Sequence, residues 1–261
     1  MSRFPPEFPP SFASACGDDE FGIWADLTVN DVAQRFRWIE AGEFWMGSPE
    51  NELGRSEFEG PQSRVRISQG YWLADTACTQ AFWLDENPAH FNDDLQNPVE
   101  QVSWYDINEH WLPLLNQNLP VEFEALLPSE AEWEYACRAG TETPFSFGAS
   151  ITLEEVNYEG DAKRSGRNRT VIVKSLPPNS WGLYEMHGNV MEWCRDGRFH
   201  YIGVSGVLVD PEGQSSNGRR ALRGGSWFHP ARYIRSAFRR AFNPELRRAF
   251  IGFRLVLRLR K

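Results

Sequence analysis

Apolar and polar residues alternate through residues 37–47, Arg-Trp-Ile-Glu-Ala-Gly-Glu-Phe-Trp-Met-Gly, and a glycine closes the run. That is the period of a half-buried strand entering a turn. Residues 65–68 and 71–74 read as two more strands about a Gln69-Gly70 turn. After Ser103 the period becomes helical: Ile107, Trp111 and Leu114 share one face, Ser103 stands at the N-cap, and Asp106 follows three residues on. A second helix is predicted over 127–140. Ser129 caps it, Glu132 completes a capping box and Gly140 ends it. From 141 to 250, Gly, Pro, Asn and Ser interrupt the chain so often that no long element fits. Ahead of residue 37 the pattern is weaker. Residues 21–37 predict a short helix, capped by Asn30 or Thr28, with Val32, Phe36 and Ala33 on one face. Residues 1–20 are a Pro-rich leader with an irregular surface path. The chain thus divides into an N-terminal extension, 1–36, and a body, 37–261.

Composition adds three constraints. At 261 residues, 41% hydrophobic and 24% charged, the chain can bury a core as one large domain or two small ones. Its eleven tryptophans, among them Trp45, Trp104, Trp133, Trp181, Trp193 and Trp227, are suited to packing irregular loops. The net charge of -9 is unevenly spread: residues 219–261 hold thirteen basic residues and one acid, Glu245. Such asymmetry can mark a surface for nucleic acid or an acidic partner. Cys16, Cys78, Cys137 and Cys194 have no C-x-x-C spacing. Residues 1–20 lack the basic and apolar regions of a secretory signal, and no run reaches transmembrane length. These features predict a cytoplasmic protein with reduced thiols and no membrane partner.

Six motifs then stand in a fixed order: Glu43-Phe44-Trp45-Met46-Gly47-Ser48; residues 97–106; the helix over 127–140; residues 178–184, Pro-Asn-Ser-Trp-Gly-Leu-Tyr; Gly188-Asn189-Val190-Met191-Glu192-Trp193; and a tail opened by Arg223-Gly224-Gly225-Ser226-Trp227 and closed by Ile251-Gly252-Phe253-Arg254. In this order they resemble the formylglycine-generating enzyme family. The resemblance implies an α+β fold of the formylglycine-generating-enzyme, C-type lectin-like type, with two main helices, a small mixed sheet and much irregular structure. It also implies that Arg235, Arg239, Arg247 and Arg254 bridge the tail to the acidic body, a structural use that makes nucleic acid an unneeded partner.

Enzymes of the family bind copper through two cysteines just after the Gly-Gly-Ser-aromatic element. Here His229 and Ile234 take those positions, and an imidazole with an isoleucine cannot replace two soft thiolates. No copper is expected, and the chemistry of the family is placed in doubt. The alternative is an oxidative, metal-dependent enzyme with non-cysteine chemistry, which would need His187, His200 and His229 to converge. By position, the family's calcium would be held by Glu185, the carbonyls of Gly188 and Val190, and Glu192, an oxygen set suited to that ion. A second family calcium site would begin at Asn157 and Tyr158, but no acid follows it in residues 163–169.

One branch of the fold serves as the variable protein of diversity-generating retroelements. Its tail frame is matched here without a gap by Ala231, Arg235-Ser236-Ala237, Arg239, Asn243-Pro244, Arg247 and residues 251–254. The variable slots would be Phe228, His229, Pro230, Tyr233, Phe238, Arg240, Ala241, Phe242, Leu246, Arg248, Ala249 and Phe250. None is Lys, Glu, Gln, Met or Trp, the residues that adenine changes in an asparagine codon cannot reach. The resemblance therefore predicts a ligand-binding region over 223–256. Residues 228–250 would meet a protein or other macromolecule, with the slot aromatics exposed and the frame arginines buried.

Overall fold

The structure is a computed structural model that describes residues 4–83, 94–160, 165–197, 206–213 and 218–260. Asn30 and Asp31 both adopt positive φ, 47° and 64°. Two such residues in succession make the turn whose twist suits a two-residue hairpin. They join β2 (Gly22–Val29) to β3 (Val32–Ile39). The helix expected over 21–37 is therefore absent: Asn30, taken for a cap, is the turn. β1 (Ala15–Asp19) pairs with β2, and the boundary drawn at 36/37 falls inside β3. Phe12 is buried, edge-on to Phe36, Trp72 and Phe123, which anchors the segment before β1 in the core.

These strands open a six-stranded antiparallel sheet, in the order β1-β2-β3-β6-β13-β7, with β6 at Tyr71–Ala74, β7 at Phe123–Leu126 and β13 at Val256–Leu259. A three-stranded sheet joins β4 (Gly42–Met46), β5 (Ser63–Ile67) and β9 (Leu208–Val209). β5 and β6 thus lie in different sheets, and Gln69-Gly70 connects layers rather than closing a hairpin. The third sheet has the order β11-β10-β8-β12, with β8 at Met191–Trp193, β10 at Arg220–Arg223, β11 at Arg239–Phe242 and β12 at Ile251–Gly252. β12 runs parallel to β8, so this sheet is mixed. A short helix, α1 (Gln80–Trp83), follows the main sheet's first strands.

The predicted helix after Ser103 forms. Ser103 and Asp106 bond reciprocally, at 2.8 and 3.1 Å. Its first turns, Asp106–Trp111, are π-helical before it continues as α2 (Leu112–Gln117). The second, α3 (Glu130–Arg138), carries the predicted Ser129–Glu132 capping box and ends at Ala139, in the left-handed region beside Gly140.

All nine residues of α3 are buried, three of them glutamates. A buried carboxylate is costly unless it is paired, and the C-terminal tail supplies the partners. Arg239 forks onto Glu130. Arg223 reaches Glu134 and lies 3.3 Å from Glu130. Arg138, one turn along the helix, holds the other oxygen of Glu134 at 2.8 Å. Arg258 meets Glu132 at 2.8 Å. Elsewhere Arg254 forks onto Glu192 at 2.7 and 2.8 Å, and Arg235 onto Glu59 at 2.7 and 2.8 Å. The tail's charge is spent inward, as the frame resemblance implied for Arg235, Arg239 and Arg254. Removing one partner of such a pair leaves an uncompensated buried charge. Arg239→Ala is expected to cost about 3–5 kcal/mol. Arg64→Ala, at the exposed pair with Glu43, should leave the midpoint nearly unchanged. Urea denaturation of the two variants checks the contrast.

Candidate ligand-binding face

The tail leaves β10 through Gly224 and Gly225, both at positive φ, 84° and 65°. A Cβ on Gly225 would stand 2.4 Å from the Tyr233 carbonyl, so glycine is what lets the next loop fold back on this one. That loop ends in a 3-10 turn, Ala231–Tyr233. Arg235 then fastens it: besides Glu59, its guanidinium reaches Glu52 and the Gly54 carbonyl, and its Nε donates to Arg232 O at 3.0 Å. Arg239 fixes the start of β11, and Arg247 grips Asp106 through two bonds at 2.5 and 2.7 Å. Each frame guanidinium is a staple that fixes the course of the loop between it and the next.

Eleven of the twelve slots keep accessible surface. Phe228 is 57% exposed and Phe242 38%; Arg240 and Arg248 are exposed; His229, Pro230, Tyr233, Ala241, Leu246, Ala249 and Phe250 are half-buried. The expectation of exposed slot aromatics holds for Phe228 and Phe242; His229, Tyr233 and Phe250 are only half-buried, with Tyr233 and Phe250 packed against the core, and Phe238 departs furthest. At 3% exposure it lies in the main core cluster, covered by Tyr233 at 5.0 Å. It lies between the buried Ala237 and Arg239, and β11 begins only after it. The aromatic slots touch in sequence. Phe228 stacks on Phe250 at 5.4 Å and 7°, His229 stands edge-on to Phe250, and Tyr233 is edge-on to His229. Phe242 shares with Arg240 the outer face of β11, two residues apart.

His229 Nδ1 lies 2.6 Å from Ser226 Oγ, and burial followed by the nearby Arg240 charge lowers its pKa to about 4. The imidazole is neutral at physiological pH. Ile234, at the second cysteine position, is fully buried in an apolar cluster with Phe145, Ile151, Val156 and Tyr158. Its carbonyl accepts from His187 Nδ1 at 2.7 Å, while Ser146 N–H donates to His187 Nε2 at 3.0 Å. Those two bonds fix the tautomer and occupy both ring nitrogens. His187 therefore has no free ligand atom, His229 is bonded at Nδ1, and His200 lies outside the described residues. Burial raises the pKa of Cys78, Cys137 and Cys194, that of Cys137 to about 12, so these thiols stay protonated.

The calcium ligands inferred by position are only partly available. Glu192 accepts from Arg254 twice and from Trp133 Nε1 at 2.6 Å. It is the counter-ion of a frame arginine, 62 residues away in sequence, which position alone could not show. Glu185 is different. Its Oε1 is buried without a hydrogen-bond partner, and burial lifts its pKa to about 7. At the start of the second inferred site, the Asn157 side-chain amide binds Arg169 O and Asn189 Oδ1. Among the described residues no group of three or more His, Cys, Asp and Glu could hold a metal ion. None of their helices is long and apolar enough to cross a membrane.

Comparison with known families matches residues 27–259 to the sulfatase-modifying factor enzyme 1-like domain. The chain belongs to this family. The family's members include the formylglycine-generating enzyme of Thermomonospora curvata, to which the chain is 30% identical over 208 residues, covering 73% of this chain and 62% of that one. The chain is also 33% identical over 165 residues to the serine/threonine-protein kinase pkn1 of Chlamydia pneumoniae, covering 61% of this chain and 24% of the kinase. It spans about a quarter of that relative's length. Among solved structures it is similar to Treponema denticola variable protein 1, with 27% identity and a TM-score of 0.76 over 89% of this chain and 98% of that one. The C-type lectin-like fold and the likeness to a variable protein thus hold across nearly the whole domain.

The neutral His229 has a pH consequence. Its folded pKa, about 4, is below the usual 6.5. The unfolded chain therefore takes up this proton first as pH falls. The stability it contributes is complete above 6.5 and is lost as pH falls toward 4. An NMR titration should place the His229 midpoint near 4, and His229→Phe should lose less stability than the wild type between pH 6.5 and 4.

Proposed function

We propose that this domain is a non-catalytic ligand-binding module, displaying residues 228–250 as a variable-type surface on a rigid lectin-like scaffold. What carries the reading is the pattern along the tail: Arg235, Arg239 and Arg254 are buried in ion pairs, while eleven of the twelve slots keep accessible surface. A scaffold held by the frame can accept different slot residues without refolding. Resemblance to Treponema denticola variable protein 1 supports the same use. Against formylglycine generation stands the chemistry of the tail: residues 224–261 contain no cysteine, and Ile234 lies in an apolar cluster. The ligand would be a protein or other macromolecule.

A mutational scan read out by protease resistance tests this. The eleven accessible slots should tolerate most substitutions, whereas Arg235, Arg239, Arg254 and Phe238 should not. Uniform intolerance across slots and frame would remove the reading. In parallel, a sulfatase-type peptide incubated with the protein and copper should yield no aldehyde by mass spectrometry; turnover at enzyme rates would restore the catalytic alternative.

Calcium belongs to the proposal in a reduced form. Glu185 fits a cation, since its buried oxygen has no hydrogen-bond partner. The Gly188 and Val190 carbonyls would complete the protein's share, with Glu192 retained by Arg254. A bound cation would supply charge to hold the loop and takes no part in a reaction. Added calcium should raise the melting temperature of the wild type by mass action and leave Glu185→Gln unmoved. Equal responses would dismiss the site.

A further inference from the structure

Six tail arginines, Arg223, Arg235, Arg239, Arg247, Arg254 and Arg258, are ion-paired, but the three among the slots and their loop are not. Arg232, Arg240 and Arg248 are exposed, and none forms an ion pair among the described residues. Two of them are fixed on rings: Arg232 lies over Tyr233 at 4.5 Å, and Arg240 lies over Tyr233 at 5.5 Å and Phe238 at 5.4 Å. A guanidinium stacked on an aromatic face is pre-oriented and keeps its N–H fork free for an anion. Arg248 donates to the neighbouring Arg247 carbonyl at 2.8 Å and stands two residues before Phe250. Acids lie nearby too: Glu52 and Glu59 are taken up by Arg235. Glu245 acts on Arg247, on the Asp106 side, and Glu159 reaches the face through its backbone bond to His229 O. His229, neutral at physiological pH, adds no charge of its own.

We infer that this face binds an acidic, aromatic-bearing protein segment, in which carboxylates meet Arg232, Arg240 and Arg248 while apolar rings lie on Phe228 and Phe250. The inference rests on the binding-surface reading above and names its ligand class. Charge complementarity selects the partner: unpaired guanidiniums beside stacked rings match a short segment mixing carboxylates with aromatic side chains. A nucleic acid strand, with a phosphate at every nucleotide, would run beyond the patch onto the acidic remainder of a chain whose net charge is -9. A protein segment can confine its charge to the patch.

The probe is a random poly(Glu,Tyr) copolymer, with poly(Glu) and an oligo-dT strand alongside, each measured by fluorescence anisotropy. Wild type should bind poly(Glu,Tyr) more tightly than either control, and more weakly as salt is raised. Two variants, each checked for an unchanged melting temperature, separate the terms. Arg232→Glu with Arg240→Glu should lower affinity at least about tenfold, as lost charge complementarity does. Phe228→Ser with Phe250→Ser should lower it by a similar factor, and Arg64→Glu with Arg66→Glu, on β5, should not. Absence of binding, a charge-reversed variant equal to wild type, or stronger binding of oligo-dT would overturn the inference. Those results would leave the display surface itself intact, because slot tolerance in the mutational scan decides that separately.

Discussion

The fold depends on the match between the carboxylates of α3 and the guanidiniums of the tail. Glu130 and Glu134 lie one helical turn apart on a helix with no exposed residue. Without Arg223 and Arg239, Glu130 would lose its guanidinium partners inside the core and Glu134 would keep only Arg138, at a cost in stability. Buried ion pairs add little net stability over apolar residues of the same volume, but they are intolerant of misplacement, because a fork that misses its carboxylate leaves both charges unpaired. That intolerance positions the tail. β10 and β11 pair across Arg223 and Arg239, so the two guanidiniums that clamp α3 stand side by side on adjacent strands. The sheet's register and the ion pairs specify each other.

This explains how a long loop region with short strands keeps a fixed course. A hydrophobic anchor gains from any apolar neighbour and so permits sliding. A guanidinium bonded to Glu59, Glu52 and Gly54 O, as Arg235 is, permits one position. Anchors recur every few residues; between them Phe228, Arg240, Phe242 and Arg248 are exposed, while Tyr233, Leu246 and Phe250 pack partly against the core. Phe238 goes furthest inward. It lies between two buried frame residues, Ala237 and Arg239, and is drawn into the core with them, so a slot defined by its place in a frame can still be structural.

Much of this was legible in the sequence, because the signals were local or tied to a spaced frame. The capping boxes at Ser103 and Ser129 need only four residues each, and both formed. The burial of Arg235, Arg239 and Arg254 followed from a motif order spread over the whole chain. What failed was information that lives in partners. Asn30-Asp31 serves equally as a helix cap or a hairpin turn, and only the sheet edge offered by β6 decides between them. In β3, the buried Gln34 and Arg37 break the apolar alternation that would have announced a strand, because their polar groups reach Thr76 and Asp19. Glu192 looked like a calcium ligand by position, and its oxygens belong instead to an arginine beyond β12.

The same partner logic bears on chemistry. A catalytic centre in this frame needs reactive atoms left free near the surface, and the tail does the reverse at both positions where the enzymes of the family carry cysteine. Ile234 is enclosed by apolar side chains, and its carbonyl is taken by His187. His229 is desolvated, tied to Ser226 and walled by Phe250 and Tyr233. Phe228, His229, Tyr233 and Phe250 pack on one another there. Both positions thus serve packing: one side chain closes an apolar cluster, and the other joins a chain of touching rings.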